Sequence, residues 1–159
     1  MGSEMCIRDR SKRPPLDRVN AMLSFLYTIF TREYAAALES VGLDSYMGFY
    51  HSLRPGRESL ACDLVEEGRC IVERFVLTLI NLKIIKPEDF DVQVSGAVFL
   101  NDDGRKKVLS KWQEKKRTDM IHPYLKEKIS MGLLPYVQSM LLAKFVRGEI
   151  DEYPCYLAR

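Results

Sequence analysis

Nothing in this sequence pairs its cysteines by spacing. There are four, Cys6, Cys62, Cys70 and Cys155, and no Cys-x-x-Cys among them. That excludes the usual structural zinc motifs, and the scatter is unlike a disulfide framework, so it points to a reducing, intracellular location. Histidine is scarce as well: imidazole chemistry falls on His51 or His122. The net charge of +2 is too small to imply a polyanionic partner by itself. Long apolar runs are missing too. Val19 to Phe30 follows basic residues in the manner of a signal peptide, but it carries a polar stripe at helical spacing and runs directly into Arg32 and Glu33. No stretch approaches the roughly 20 apolar residues of a membrane helix. There is no internal repeat and no low-complexity segment.

What is present suits a soluble globular chain of 159 residues, 47% hydrophobic and 29% charged, enough to bury a core. Residues 1–10 have no periodicity and are expected to be a non-native leader, leaving 11–159 as one helical domain. Asp17 is placed to cap a first helix from Arg18 to Glu39, which ends before Gly42. Along it Asn20, Ser24, Tyr27, Thr31 and Tyr34 recur at three- and four-residue steps, and spacing alone favours an ordinary solvated face. Residues 42–56 form a loop. A long helix then runs from Glu58 or Ser59 to about Lys83, stopped by Lys86-Pro87. Phe90 to Leu100 alternates as one small hairpin turning at Ser95-Gly96. A basic helix follows to about Arg117, His122-Pro123 marks a break, and an amphipathic helix spans Leu133 to Arg147 before Gly148. The expected fold is therefore mainly α with one small β-hairpin.

The stretch best suited to chemistry joins the loop to the second helix. His51 lies on the loop, and Asp63 and Glu66 stand three residues apart on the helix, hence on one face. One imidazole with carboxylates suits Mg²⁺ or Mn²⁺ with waters left on the metal. Such a site polarises a phosphate and activates an oxygen nucleophile. The competing reading is also physical: acids in the first turns of a helix complement its dipole, and Glu66 with Arg69, or Glu67 with Arg74, would then be plain surface charges. Spacing alone leaves both readings open.

A family resemblance weighs on that choice. Gly48-Phe49-Tyr50-His51, then Gly56-Arg57-Glu58-Ser59-Leu60, then Asp63-Leu64-Val65-Glu66-Glu67 resembles the core signature of the CRISPR-associated protein 1 family, the integrases that insert new spacers into CRISPR arrays. Arg13-Pro14-Pro15 with Val19-Asn20, Lys111-Trp112-Gln113, His122-Pro123 and Pro135-Tyr136-Val137-Gln138 resemble further ordered blocks. The last of these, with Tyr153-Pro154, resembles the type I-C branch.

The resemblance implies a helical C-terminal catalytic domain without the family's N-terminal β-rich domain. It implies a metal-dependent DNA endonuclease and integrase, in which a DNA 3′-hydroxyl attacks a phosphodiester of the CRISPR repeat. His51 and Glu66 would be catalytic, with His51, Glu66 and Asp63 as ligands of Mg²⁺ or Mn²⁺. The family's remaining ligand is a glutamate in an upstream Glu-Gly motif. No such motif precedes the Asn20 helix, so the chain alone is expected to hold metal weakly and not to integrate DNA. Implied partners are double-stranded DNA, a CRISPR-associated protein 2 dimer and a second copy of the full-length protein. The implied location is the prokaryotic cytoplasm, with no membrane.

The third helix gathers Arg105, Lys106, Lys107, Lys111, Lys115, Lys116 and Arg117. Spacing alone leaves a solvated helix face and a phosphate-binding one open; the resemblance favours the second, with Arg54, Arg57, Arg105, Lys106, Lys107 and Lys111 as phosphate contacts that position DNA without reading its sequence. His122 is expected to be structural. Trp112 has the chemistry to stack on a base, though core packing suits it better. A reading from another class is a non-catalytic helical module that binds DNA or docks a partner.

Overall fold

The computed structural model describes residues 17–46 and 59–156, and within them the chain is mainly helical. Its helices are α1 (Arg18–Ser40), α2 (Ser59–Glu67), α3 (Arg69–Asn81), α4 (Asp102–Lys116) and α5 (Leu134–Val146). Two small antiparallel sheets accompany them, β1 (Phe90–Val92) with β2 (Val98–Leu100), and β3 (Asp119–Ile121) with β4 (Lys128–Ser130). Chain packing divides the described residues into two units, one of 17–28 with 72–113 and one of 29–46, 59–71 and 114–156.

Local chemistry explains most of the helix ends. Asp17 caps α1: its carboxylate accepts from the Asn20 backbone N–H at 2.8 Å and from the Asn20 side-chain amide at 2.7 Å. The other end closes on Gly42 at φ +83°, with Leu43 N–H donating to Leu38 C=O at 2.9 Å and Gly42 N–H to Glu39 C=O at 3.1 Å. Gly148 ends α5 in the same way, with Glu149 N–H on Lys144 C=O at 2.9 Å. Asn101 caps α4 through Gly104 N–H at 2.8 Å.

Three expectations need correction. The long helix is two helices, broken at Gly68. Gly68 N–H turns to Val65 C=O at 3.0 Å, and a Cβ on Gly68 would stand 2.8 Å from the ring of buried Phe30. The break therefore needs the one residue without a side chain. Helix α3 also stops early, at Asn81, because Lys83 takes the left-handed conformation at φ +56° and Ile84 N–H returns to Leu79 C=O at 3.0 Å. The β3–β4 hairpin is an element that the sequence did not announce, since its strands have three residues each and only Met120, Ile121 and Ile129 in them are apolar.

The first hairpin pairs as expected, Phe90 with Leu100 and Val92 with Val98. Its apolar faces are unequal: Val98 and Leu100 are buried while Val92 and Val94 are exposed. In that unit Trp112 is completely buried and stacks edge-on against Phe75 at 5.2 Å. It is a core residue, not a free platform for a base. In the other unit Phe30, Tyr34 and Leu38 of α1, Leu60, Ala61 and Leu64 of α2, and Leu134, Leu141 and Leu142 of α5 are buried. Tyr34 thus leaves the solvated stripe proposed for α1.

Candidate functional site

Helix α2 carries the acids, and it is short, with nine residues. An isolated helix below about 12 residues is marginal in water, so tertiary contacts must hold it. At its start Leu60 and Ala61 N–H donate to Ser45 C=O at 2.9 and 3.4 Å. Ser45 is buried and its hydroxyl donates to Glu39 Oε1 at 3.1 Å. The α2 backbone is thereby tied to the end of α1.

Asp63 and Glu66 lie one turn apart on α2, as expected, but in different surroundings. Asp63 is 4% exposed, whereas Glu66 is exposed. Two carboxylates at this spacing are hard oxygen donors, and their chemistry fits Mg²⁺ or Mn²⁺. His51, Arg54 and Arg57 lie outside the described residues. Among the described residues no group of three or more His, Cys, Asp and Glu side chains is placed to hold a metal ion. Asp63 and Glu66 each have interactions of their own.

Glu67 is not the surface charge that spacing suggested. Its carboxylate Oε2 accepts the phenol O–H of Tyr153 at 2.8 Å. Burial pushes this carboxyl above its ordinary range, while hydrogen bonds from Tyr153, Cys155, Gln138 and the Tyr156 backbone pull the other way. Burial beside the same carboxylate raises the Tyr153 phenol and pushes the Cys155 thiol up to about 11.

The Tyr153 oxygen itself accepts from Gln138 Nε2 at 2.8 Å, and that amide also donates to Pro154 C=O at 3.2 Å. Gln138 Oε1 lies 2.6 Å from His122 Nε2. His122 Nδ1 accepts the backbone N–H groups of Tyr124 and Leu125, both at 3.2 Å. With Nδ1 accepting, Nε2 carries the hydrogen. Donation thus runs one way, from His122 to Gln138 to Tyr153 to Glu67. His122 is 1% exposed and Gln138 fully buried, so His122 is structural, as expected.

The basic helix is partly committed to structure. Lys107 Nζ binds the buried carboxylate of Asp89 at 2.9 and 3.1 Å. Arg105 pairs with Asp102 and donates to Leu100 C=O at 3.1 Å. Lys116 pairs with Glu33 at 2.8 Å. Lys111 is half-buried and has interactions of its own. Lys106, Lys115 and Arg117 are exposed and form no ion pair among the described residues.

Residues 2–114 match the model of the family described as CRISPR associated protein Cas1. The CRISPR-associated endonuclease Cas1 2 of Rhodospirillum rubrum is 51% identical over 152 residues, which cover 95% of this chain and 44% of that protein. The chain thus spans less than half the length of this relative. Among solved structures, a casposase bound to integration product aligns with TM-score 0.80 at 25% identity, covering 87% of this chain and 38% of that one. A Cas6-RT-Cas1–Cas2 complex aligns with TM-score 0.74 at 25% identity, covering 94% of this chain and 16% of that one.

Proposed function

The chain belongs to the CRISPR-associated Cas1 family, and from that premise we propose that it forms the helical, acid-bearing part of a metal-dependent DNA integrase of CRISPR adaptation. The observation that carries this reading is the acidic pair Asp63 and Glu66 on tethered α2, in a chain half identical to a Cas1 endonuclease. Asp63, Glu66 and His51 would hold Mg²⁺ or Mn²⁺, which when bound supplies positive charge for a phosphodiester under attack. The reaction joins a DNA 3′-oxygen to phosphorus of the CRISPR repeat and releases the repeat's own 3′-oxygen, with a proton lost from the attacking hydroxyl and gained by the leaving one. Residues of this chain orient the ions and the phosphate.

The casposase structure contains an integration product and the other neighbour includes Cas2. By analogy this chain would meet double-stranded DNA and a Cas2 dimer, and would pair with a second Cas1 copy in the full-length protein. Arg54, Arg57, Lys106 and Lys111 would line the phosphate path. Among the described residues no helix is long and apolar enough to cross a membrane, which accords with a proposed cytoplasmic location. The type I-C assignment rests on Pro135 to Gln138 and Tyr153-Pro154.

The test is a chimera in which this chain continues the upstream part of the Rhodospirillum rubrum relative. We expect Mn²⁺-dependent strand transfer into a repeat duplex, abolished by Glu66→Gln and by His51→Ala with duplex binding retained. Transfer unchanged in Glu66→Gln would overturn the assignment. The 159 residues alone should bind metal weakly and leave DNA unjoined, and robust Mn²⁺-dependent cleavage lost in His51→Ala would contradict that.

A further inference from the structure

Both ends of α2 are tied, and by different means. The start hangs on Ser45 C=O, through Leu60 and Ala61 N–H. At the end the Glu67 carboxylate is held by Tyr153 at 2.8 Å, beside hydrogen bonds from Cys155, Gln138 and the Tyr156 backbone. Gly68 follows immediately and interrupts the helix. Tyr153 is in turn held by buried Gln138, and Gln138 by buried His122.

Helical geometry gives this grip a consequence. Asp63 and Glu67 are four residues apart and stack on the same side of α2. Glu66 is the neighbour of Glu67, turned by about 100° and displaced by about 1.5 Å along the axis. Fixing Glu67 therefore fixes the rotation of the last turn, and with it where Asp63 and Glu66 project. A misplacement of about 1 Å in a reacting group can cost about a hundredfold in rate.

We propose that Tyr153 is a positioning residue for the metal site: by holding Glu67 it sets the rotation of α2 that brings the Asp63 and Glu66 carboxylates to the ion. The proposal rests on the reading of Asp63 and Glu66 as ligands. Tyr153 touches neither DNA nor metal in this role. It acts from the far end of the chain, where the segment Tyr153 to Tyr156 closes over the end of α2, with Tyr156 itself buried.

The experiment is Mn²⁺ binding to the chimera that supplies the upstream glutamate, followed by the electron paramagnetic resonance of free Mn²⁺. It is run at a temperature where melting curves show every variant folded. Tyr153→Phe removes one hydroxyl and keeps the ring. We expect it to weaken Mn²⁺ about tenfold, the equivalent in affinity of one hydrogen bond to a charged group. Glu67→Ala should weaken binding, and the double variant Glu67→Ala/Tyr153→Phe no further, because Tyr153 acts only through Glu67. Glu66→Gln should abolish binding. If Tyr153→Phe binds Mn²⁺ like the parent while Glu66→Gln does not bind, the positioning role fails and the metal site stands. If the parent does not bind, or Glu66→Gln binds equally well, both fail together.

Discussion

Tyr153 donates its phenol to Glu67 at 2.8 Å, joining residues 86 apart in sequence. The bond is the last of a series that starts at the backbone of the β3–β4 turn and passes through His122 and Gln138. The direction of each bond in it is assigned by the chemistry of its neighbour. His122 Nδ1 already accepts, so Nε2 must donate, so Gln138 must present oxygen to it and nitrogen to Tyr153. The arrangement leaves Glu67 as the final acceptor, a position suited to a carboxylate.

Gln138 is therefore the most demanding site in the series. It is fully buried and satisfies His122, Tyr153 and Pro154 C=O at once. Gln138→Leu keeps volume but strands three partners, and a buried polar group left unpaired costs about 1–3 kcal/mol. Relaxation and entering water recover part of the sum, so the expected loss is about 2–4 kcal/mol. Urea unfolding checks it: the midpoint should fall with an unchanged slope. A shift under about 0.5 kcal/mol, the size of a neutral surface change, would show that the network contributes little to stability.

Asp89 offers a pH-dependent counterpart. Its carboxylate is buried, which alone would raise its pKa. The Lys86 N–H at 2.9 Å and the Lys107 ammonium outweigh that effect and hold it below its ordinary range. A depressed acid stabilises the fold above its unfolded value, about 3.9, and loses that contribution as pH falls through the lower folded value. Lys107 is 43% exposed, so solvent screens the pair. Asp89→Asn should cost about 1–2 kcal/mol at pH 7. The gap to the parent should begin to close as pH drops below about 4. A gap that is constant from pH 7 to pH 2.5 would assign the effect to packing.

Gly68 is the point at which sequence and structure part most instructively. Apolar periodicity runs unbroken from Leu60 through Val72 to Leu79, and a lone glycine inside it is tolerated at modest cost. What requires glycine at this point is a partner that periodicity cannot name, the Phe30 ring, 38 residues earlier. Gly68→Ala forces Cβ to 2.8 Å from that ring and should cost about 1–3 kcal/mol. Phe30→Leu leaves room, so Gly68→Ala/Phe30→Leu should lose less than the sum of the single changes in thermal or urea unfolding. Strict additivity would argue against the contact.

The same distinction separates what was legible from what was not. Asp17, Gly42, Asn101 and Gly148 act on their own helix within a few residues, so a sequence shows them. Asp63 and Glu66 share a face for the same local reason. Their unequal burial, the grip of Tyr153 on Glu67 and the capture of Lys107 by Asp89 depend on distant packing. The β3–β4 hairpin gave little signal because its strands are three residues long and hold only three apolar residues, Met120, Ile121 and Ile129. His51 lies outside the described residues, so its pairing with Glu66 as a ligand stays an expectation from the family signature.

The DNA contacts follow from which cations the fold has already used. Lys107 and Lys116 neutralise Asp89 and Glu33, and reversing either would break a fold contact. Lys106 is exposed and forms no ion pair among the described residues, so its charge is available to a phosphate. A cation that neutralises one phosphate contributes about 0.9 to the slope of log affinity against log salt on duplex DNA. Lys106→Glu in the chimera should reduce that slope by about 1 without favouring any sequence and without lowering the melting temperature. Lys107→Glu should lower the melting temperature first, because it places a second acid against buried Asp89. Fluorescence anisotropy from 50 to 200 mM salt, about the range over which such contacts are read, separates the two. A Lys106→Glu slope equal to the parent's would remove that face of α4 from the phosphate path and leave Arg54 and Arg57 as the candidates to test.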